Sequence, residues 1–265
     1  MFLRSRLTMP GIPQAYLLSL TTILLYLELR ESSFECLGRI RMAQKATLGY
    51  NPMFILAPGQ NFCNIHSYLV IYQTKVEDRS RRDFLRKKIG RLGGQYDFTI
   101  LFPTGLSSDT TINEDVKKEH RKYGDILQAD FIDTYRNLTF KTYAHSRYVS
   151  QNCMNVRAVL KVDDDVAWNL VLMFGYLSRT DPQENTLHCR TVRFPLVERN
   201  KTMKWFVSMK EYPHKYFPKY CLSPIYAASP YTIKTLHDAT NNVPFLWLSS
   251  LAIPLCQFLL PKLCE

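Results

Sequence analysis

The segment VRAVLKVDDDVAWN, residues 156–169, leads from an alternating apolar stretch into three adjacent carboxylates. Apolar side chains recur at every second position from residue 156 to residue 162, which is the pattern of a β-strand. Asp163, Asp164 and Asp165 would therefore stand at the carboxyl end of that strand. Ligands of open α/β sheets bind at this edge, so the position favours a binding site.

Three adjacent carboxylates are electrostatically unfavourable, because like charges repel one another and the free energy of each charge rises as it leaves water. They are either solvated in a polar turn between a strand and a helix, or they hold a cation. Strand alternation directs Asp163 and Asp165 to one side and Asp164 to the other. Two oxygen donors on one side suit Mg²⁺ or Mn²⁺, whose remaining coordination positions a diphosphate can fill. The residues alone leave both interpretations open.

The composition is that of a globular protein. The chain has 265 residues, 46% of them hydrophobic, and a formal net charge of +11. Its Lys and Arg residues are scattered apart from one run, RSRRDFLRKKIGR at residues 79–91, in which Phe84, Leu85 and Ile89 recur at helical spacing. The run predicts a helix with a solvated basic face over a buried stripe. Because basic and aromatic residues do not interleave as in recognition modules, we expect no nucleic-acid partner. The charge suits anionic substrates or acidic lipid headgroups.

Cysteines and sequons bear on the compartment. Seven cysteines lie far apart and form no CxxC pair, so the sequence shows no zinc or thioredoxin-like motif. Two Asn-x-Ser/Thr sequons occur, at Asn137 and Asn200. Sequons and dispersed cysteines together indicate a lumenal, oxidising compartment.

An apolar run near the N-terminus follows Arg4 and Arg6 and is densest at residues 15–27. The run is shorter than the ~20 residues that a spanning helix normally needs. It is a short signal-anchor with its basic end in the cytosol, the apolar region of a signal peptide, or a buried helix. Since no small-x-small cleavage site follows it, we favour the anchor, assign residues 1–30 to it, and assign residues 31–64 to a stem.

Strand and helix patterns alternate from residue 65 onward. SYLVIYQT (67–74) and YDFTILF (96–102) are β-rich runs, and the basic helix lies between them. A second helical segment opens near Thr111 and closes at Gly124, and a strand or extended loop, a helix and the carboxylate strand follow. This order predicts an α/β fold with a largely parallel sheet covered on both faces.

Four segments in order carry a family resemblance. They are RRDFLRKKIG (81–90), EHRKYGDILQADFIDTYRNLTFKT (119–142), KVDDDVAWN (161–169) and KWFVSMKEYPHKYFPKYC (204–221). They resemble segments of the β-1,3-galactosyltransferase family, family 31 of the glycosyltransferases. The first resembles the family's R-x-x-I-R-x-T-W-G segment, and the second its E-x-x-x-Y-G-D-I-L, D-F-x-D-x-Y and N-L-T-x-K-T elements. The third resembles its metal-binding K-x-D-D-D-V segment, and the fourth its K-W-x-V-S, E-Y-P and Y-P-x-Y-C elements. Lys88 and Ile89 depart from the first pattern.

The resemblance implies a GT-A-like nucleotide-sugar-binding fold, with a mostly parallel central sheet flanked by helices, and a UDP-hexose donor. Position by position it implies Mn²⁺ or another divalent cation held by Asp165 and Asp163, and nucleotide-sugar contacts from Asp163 and Asp164. Trp205 and Glu211 are acceptor-side candidates, because an aromatic face beside a carboxylate suits a sugar ring.

The resemblance also implies a reaction and a location. The reaction is the inverting transfer of galactose or N-acetylhexosamine in β-1,3 linkage to a glycan, glycoprotein or glycolipid acceptor. The location is the Golgi membrane, as a single-pass type II protein held by its N-terminal anchor.

The family's catalytic base lies in an E-D-V segment, which the resemblance places shortly after YTIKTLHDATNNVPFLWL (231–248). The sequence there, SSLAIPLCQFLLPKLCE (249–265), contains no acidic pair. We therefore assign residues 65–244 to the catalytic domain, residues 245–265 to a divergent apolar tail, and no catalytic residue. The C-terminal part of the fold would be incomplete, and we expect little or no transferase activity. The alternative function is a non-catalytic relative that binds nucleotide-sugar or glycan.

Overall fold

The described part of the chain is built on a seven-stranded sheet. A computed structural model describes residues 52–193, 195–217, 219–240 and 246–247, apart from the side chain of Ser223. Its strands are β1 (Phe54–Leu56), β2 (Tyr68–Gln73), β3 (Phe98–Leu106), β4 (Ile126–Ile132), β5 (Ala158–Asp163), β6 (Leu187–Val192) and β7 (Tyr220–Ala228). Its α-helices are α1 (Arg79–Lys88), α2 (Gly93–Tyr96), α3 (Thr110–Tyr123), α4 (Leu138–Asn152), α5 (Leu170–Leu177) and α6 (Pro230–Ala239). Short 3₁₀ turns stand at Phe62–Asn64, Gly90–Leu92 and Tyr135–Asn137.

The strands follow the order β1-β4-β3-β2-β5-β7-β6 across the sheet. The four central strands are parallel, whereas β1, β7 and β6 pair antiparallel with their neighbours. The chain runs outward from β2 through β3 to β4 and returns through α4 to β5 on the other side of β2. The strand order therefore reverses between β2 and β5, where Gln73 is paired in register with Asp163. The α/β class and the parallel centre predicted from the sequence are confirmed.

Apolar side chains fix the carboxylate segment from both ends. Every residue of β2 is buried, which is why this strand reads as a continuous apolar run. Phe174 of α5 packs on Phe98 and Tyr68, with ring centroids 5.2 and 5.1 Å apart. The indole N–H of Trp168 donates to the hydroxyl of Tyr72 at 2.8 Å. The residues that follow the three aspartates are thus anchored to the same core as the strand that precedes them.

Helix α1 contains the basic run, and its arginines do not all face solvent. Arg82 is fully buried, donates to both carboxylate oxygens of Glu119 on α3 at 2.9 and 2.8 Å, and donates to the backbone oxygens of Lys75 and Val76. Phe84, by contrast, is 49% exposed. The predicted basic face over a buried apolar stripe is wrong at these two positions, because the fixed donors of a guanidinium let Arg82 satisfy four acceptors inside the fold.

Residues 52–64, which the sequence assigns to the stem, are part of the folded unit. β1 pairs with β4, and the backbone N–H of Met53 donates to Asp130 Oδ1 at 2.9 Å. Cys63 forms a disulfide with Cys153, which directly follows α4. The stem boundary is corrected accordingly. A three-residue edge strand is too short to show the period-two pattern on which the sequence assignment depends.

A second disulfide, Cys189–Cys221, joins β6 to β7. Neither disulfide pairing is readable from the cysteine spacing. The expected anchor, residues 1–30, and residues 248–265 of the expected tail lie outside the described residues. In the part of the chain that the structure describes, no helix is both long and apolar enough to span a bilayer.

We expect Glu119→Ala to lower the free energy of unfolding by about 3–5 kcal/mol, because it leaves the buried Arg82 guanidinium without its charged partner. Both side chains are 1% exposed. Urea unfolding of the purified chain measures the change. Glu114→Ala is the matched control, since Glu114 lies on the same helix but is 58% exposed and pairs with the exposed Lys117. The control should leave the unfolding midpoint almost unchanged, and equal shifts in the two variants would contradict the account.

Candidate functional site

A cleft of about 920 Å³ lies over the carboxyl ends of β2, β4 and β5. Residues 73–75 after β2, 133–135 after β4 and 163–165 after β5 contribute to its lining. All three predicted aspartates therefore reach one cleft, at the point where the strand order reverses. Open α/β sheets bind ligands in this crevice.

The cleft lining carries nearly balanced charge. Its cations are Lys75, Arg81, Lys141, Lys161 and Lys204, and its carboxylates are Glu77, Asp78, Asp133, Asp163, Asp164 and Asp165. Such a lining favours neither a simple anion nor a simple cation. It suits a ligand that carries both signs, such as a diphosphate bound to a divalent cation.

An ion pair with Lys161 of β5 holds Asp163 in place. The ammonium of Lys161 contacts Asp163 Oδ1 and is almost completely buried, whereas the carboxylate is about one-third exposed. Burial lowers the pKa of Lys161, and the charge and hydrogen bond of Asp163 oppose that shift. The buried cation thus orients this carboxylate at the strand end before any ligand arrives.

Asp164 lies in a less favourable electrostatic environment. Burial raises its pKa, the charge of Arg81 opposes the rise, and the neighbouring carboxylates Asp165, Asp78 and Asp163 add to it. The ionised form of Asp164 is therefore less stable than that of a solvated aspartate. A cation in the cleft would stabilise it.

A second Lys–Asp pair lines the cleft, at the residue that directly follows β4. The ammonium of Lys141 lies 2.8 Å from Asp133 Oδ1 and donates to the backbone oxygen of Thr74 at 2.8 Å. The backbone N–H of Gly105 donates to the other oxygen of Asp133 at 3.2 Å. A Cβ at Gly105 would stand 2.4 Å from the backbone oxygen of Phe131, so the strand needs glycine here. Lys141 therefore has a structural ion pair with Asp133.

His145 of α4 is buried near Lys141 and Lys161. Burial, followed by the charges of Lys161 and Lys141, lowers the pKa of His145 to about 3. The imidazole is neutral at physiological pH. His145 therefore adds no positive charge to that of the two lysines.

Aromatic side chains from three segments form the other side of the cleft. Trp205, an acceptor-side candidate, lines the cleft and is 53% exposed, and Tyr135, which also lines it, is exposed as well. The ring of Tyr135 lies 5.9 Å from that of Trp247, and the Lys204 ammonium stands 4.2 Å from the centroid of Tyr135. The structure brings Trp205 into the same cleft as the aspartates.

Glu211, the other acceptor-side candidate, is not among the residues that line the cleft. One carboxylate oxygen accepts from the backbone N–H and hydroxyl of Ser208 at 2.8 and 2.7 Å, and the other lies 3.7 Å from Arg136. Burial tends to raise the pKa of Glu211, but the Ser208 hydrogen bonds and nearby arginines hold it below its usual value. The guanidinium of Arg136 in turn lies 4.3 Å from the centroid of the Trp247 ring. Glu211 is thus connected to the aromatic side of the cleft through Arg136.

Three buried polar groups that line the cleft lack hydrogen-bond partners within the described residues. They are Gln73 Nε2, Thr74 Oγ1 and Trp247 Nε1. Buried polar groups are normally paired, so these positions are where a ligand or a side-chain rotation would supply a partner. Sequence reasoning missed all three. The only signal for Gln73 and Thr74 is their position at the end of a β-rich run.

Trp247 falls in the segment that the sequence assigns to a tail outside the catalytic domain. The structure places it in the cleft lining, 5% exposed. The hydroxyl of Thr139 on α4 donates to the backbone oxygen of Leu246 at 2.7 Å and holds this segment against the helix. Residues 246–247 therefore belong to the wall of the site.

The donor set of the cleft fits a hard divalent cation only with help from a ligand. Among the described residues, no group of three His, Cys, Asp or Glu side chains is arranged to hold a metal ion. One or two carboxylates from Asp163, Asp164 and Asp165 are nevertheless available on one wall. Mg²⁺ and similar cations are commonly held by one or two carboxylates together with substrate phosphates.

Comparison with known proteins gives concordant matches. A family model described as Galactosyltransferase matches residues 80–256, a span that includes residues 245–256 of the expected tail. The UDP-GalNAc:beta-1,3-N-acetylgalactosaminyltransferase 1 of Sus scrofa is 29% identical over 217 residues, which cover 78% of this chain and 64% of the relative. The Beta-1,3-galactosyltransferase 5 of Gorilla gorilla gorilla is 31% identical over 157 residues, covering 58% and 52% respectively. The chain thus spans less than two-thirds of the length of these relatives.

Among solved structures, the galactosyltransferase LgtC in complex with donor and acceptor sugar analogs aligns with a TM-score of 0.38 and 14% identity. The alignment covers 72% of this chain and 70% of that one.

The unpartnered hydroxyl of Thr74 makes a prediction about stability. Thr74→Val should leave the free energy of unfolding unchanged or raise it, because it removes a buried polar group that has no partner. Thr232→Val is the matched control, since the buried Thr232 hydroxyl lies 3.1 Å from the backbone oxygen of Glu184. That control should lose about 0.5–1.5 kcal/mol. Urea denaturation of both variants measures the change in the free energy of unfolding. Equal destabilisation would show that the Thr74 hydroxyl has a hydrogen-bond partner.

Proposed function

The chain belongs to the galactosyltransferase family, and from that premise we propose that it transfers galactose or an N-acetylhexosamine from a UDP-sugar to a glycan acceptor in β-1,3 linkage with inversion. The observation that carries the proposal is the position of Asp163, Asp164 and Asp165 in one cleft at the switch point of the sheet. The name of the pig relative specifies a UDP-GalNAc donor and a β-1,3 linkage, which supports the same class of reaction here.

The donor would bind with its diphosphate over the aspartates. Asp165 and Asp163 would hold a divalent cation, with Mn²⁺ as the first candidate, and Asp163 and Asp164 would contact the nucleotide sugar. The raised pKa of Asp164 supports this assignment, because crowded carboxylates gain stability from nearby positive charge. When bound, the cation would act as a Lewis acid that neutralises charge on the departing diphosphate. Lys75 and Arg81 line the same cleft and would add positive charge beside the phosphates.

The acceptor sugar would lie against the exposed aromatic side chains. Trp205 offers a flat apolar face to a pyranose ring. Tyr135, in the lining of the same cleft, offers both an aromatic face and a hydroxyl. Glu211 would act through Arg136 and not by direct contact, since its carboxylate is bound to Ser208. The proposed acceptors are glycan, glycoprotein and glycolipid, each of which offers a sugar ring to this wall.

A non-catalytic relative that binds nucleotide-sugar is the second candidate. The observation that favours it is the sequence SSLAIP at residues 249–254, which has no acidic pair where the family carries its base. General-base catalysis contributes about 10²–10⁴-fold, so its loss would leave very slow transfer. An assay of UDP-hexose transfer to glycan acceptors separates the candidates. UDP binding without turnover establishes the binding protein, whereas turnover at ordinary rates shows that another residue supplies the base.

We expect Asp165→Asn to reduce UDP affinity measured in Mn²⁺ by at least the ~10–100-fold that loss of an outer-shell partner costs at metal sites. The substitution keeps the side-chain shape and removes a charged oxygen ligand. Calorimetric titration of UDP with and without Mn²⁺ measures both the affinity and its metal dependence. Asp115→Asn, on the exposed face of α3 beside Lys118, is the control and should bind as the wild type. Unchanged Mn²⁺-dependent binding in the Asp165 variant would refute the assigned site.

We further propose a Golgi location with type II membrane topology. Two disulfides and two sequons support an oxidising lumen for the folded unit. The sequons differ in accessibility. Asn200 is exposed in a loop, whereas Asn137 is half-buried and donates to the backbone oxygen of Ile132 at 2.8 Å.

We expect glycan addition at Asn200 and little at Asn137. Expression in mammalian cells, glycosidase treatment and gel mobility test both the compartment and the site. Asn200→Gln should abolish the mobility shift and Asn137→Gln should preserve it. If neither the wild-type chain nor the Asn137→Gln variant carried a glycan, the lumenal location would be contradicted.

A further inference from the structure

A second cleft, of about 770 Å³, lies between α5 and the outer strands β6 and β7. It shares no lining residue with the aspartate cleft. The hydroxyl of Tyr176 on α5 is hydrogen-bonded to His188 Nδ1 on β6 at 2.8 Å, which ties the two walls together. The volume is in the range of ligand sites. The donor and acceptor proposed above leave this cleft without a function.

One part of this second cleft is cationic. Arg190, Arg193 and Lys219 line it, and no Asp or Glu does. Arg190 and Arg193 are exposed, and neither makes an ion pair or a side-chain hydrogen bond within the described residues. Positive charge that the fold leaves uncompensated attracts an anionic ligand, and guanidinium groups bind carboxylates in a bidentate geometry.

Another part of the same cleft is apolar. Leu172 lines it and is 71% exposed, and Met173 and Tyr176 of the same helix line it as well. Val171, next to Leu172, is also exposed. Apolar side chains this exposed on one short helix, beside cations, favour a ligand that combines carboxylates with apolar groups.

The backbone of β6 adds a third feature. β6 is the last strand of the described sheet and pairs on one side only, with β7. The register shifts between Cys189 and Thr191, where Arg190 alone lies opposite residues 222–225 of β7, so the extra residues belong to β7 and β6 itself continues past the irregularity. The open edge of a strand can accept another strand, while charged side chains on it discourage unwanted partners. Exposed arginines on this edge therefore exclude basic strands and admit acidic ones.

We propose that this cleft binds an extended acidic segment of a partner protein. The segment would add to the free edge of β6, place carboxylates against Arg190 and Arg193, and place apolar side chains against Leu172 and Tyr176. Side chains two residues apart lie on the same side of a strand, so a segment with acidic and apolar residues at such positions presents both kinds of group to the cleft. A second copy of this chain fits poorly, because its net charge of +11 opposes the same-signed cleft. This surface is independent of the transferase proposal.

The test uses a synthetic Glu–Val peptide of Glu-Ser-Val-Ser repeats, in which Glu and Val lie on one side of the strand, and a Gln–Val peptide of the same length, with Gln in place of Glu, as the neutral probe. Fluorescence anisotropy of the labelled peptides with the purified full-length chain measures affinity. We expect saturable binding of the Glu–Val peptide, weakened by salt, and at least about tenfold weaker binding of the Gln–Val peptide. Hydrogen exchange should slow in Leu187–Val192 when the acidic peptide is present.

The variant R190E/R193E should bind the acidic peptide at least about tenfold more weakly, and its UDP affinity should equal that of the wild type. R121E/R179E is the charge-matched control, since both arginines are exposed and neither lines the cleft. Equal loss in the control, equal binding of the neutral peptide, or no saturable binding would each overturn the proposal. Binding to phosphatidylserine vesicles in place of the peptide, lost in R190E/R193E, would overturn it in favour of a membrane surface.

Discussion

The ion pair between Lys161 and Asp163 is the interaction on which the site depends. A strand end that gathers three carboxylates needs compensating charge, and β5 carries its own cation two residues before them. The lysine is buried and the aspartate reaches the cleft, so the pair connects the core of the sheet to its binding edge. The same device recurs at β4, where Lys141 holds Asp133. Two strand ends are thus oriented before a ligand arrives, which is how a fold prepares a charged site. Asp164, Asp165 and the exposed part of the Asp163 carboxylate remain for the ligand.

The sheet places two different surfaces on one chain. Its parallel centre creates the switch point between β2 and β5, and the ends of the strands there collect charged and polar side chains. Its antiparallel strands, β7 and β6, finish the sheet with an open edge. The first surface is nearly balanced in charge and includes buried polar groups without partners. The second is cationic and partly apolar. The physical contrast suggests a small charged ligand at the first and a polypeptide at the second.

Local pattern predicts this molecule well where one element decides the outcome. The alternation before Asp163 and the end of α3 at Gly124, where φ is positive, are set by neighbouring residues, and both agree with the structure. The family motifs likewise marked the aspartate segment and Trp205, both of which reach the cleft. Pairings between distant segments were out of reach. The Cys63–Cys153 disulfide, the burial of Arg82 against Glu119, and the contact of Trp247 with the cleft each depend on residues far apart in sequence. Spacing and periodicity contain no information on such contacts.

The central claim is that the aspartates and a UDP diphosphate hold one divalent cation between them. Because the described residues offer no complete cluster of protein ligands, the cation should bind weakly alone and tightly with UDP. Electron paramagnetic resonance of Mn²⁺ tests this directly, since the signal of the free hydrated ion diminishes when the ion is bound. The account predicts that the chain reduces the free Mn²⁺ signal strongly only when UDP is present, with one ion bound per chain. A signal that UDP leaves unchanged would contradict it.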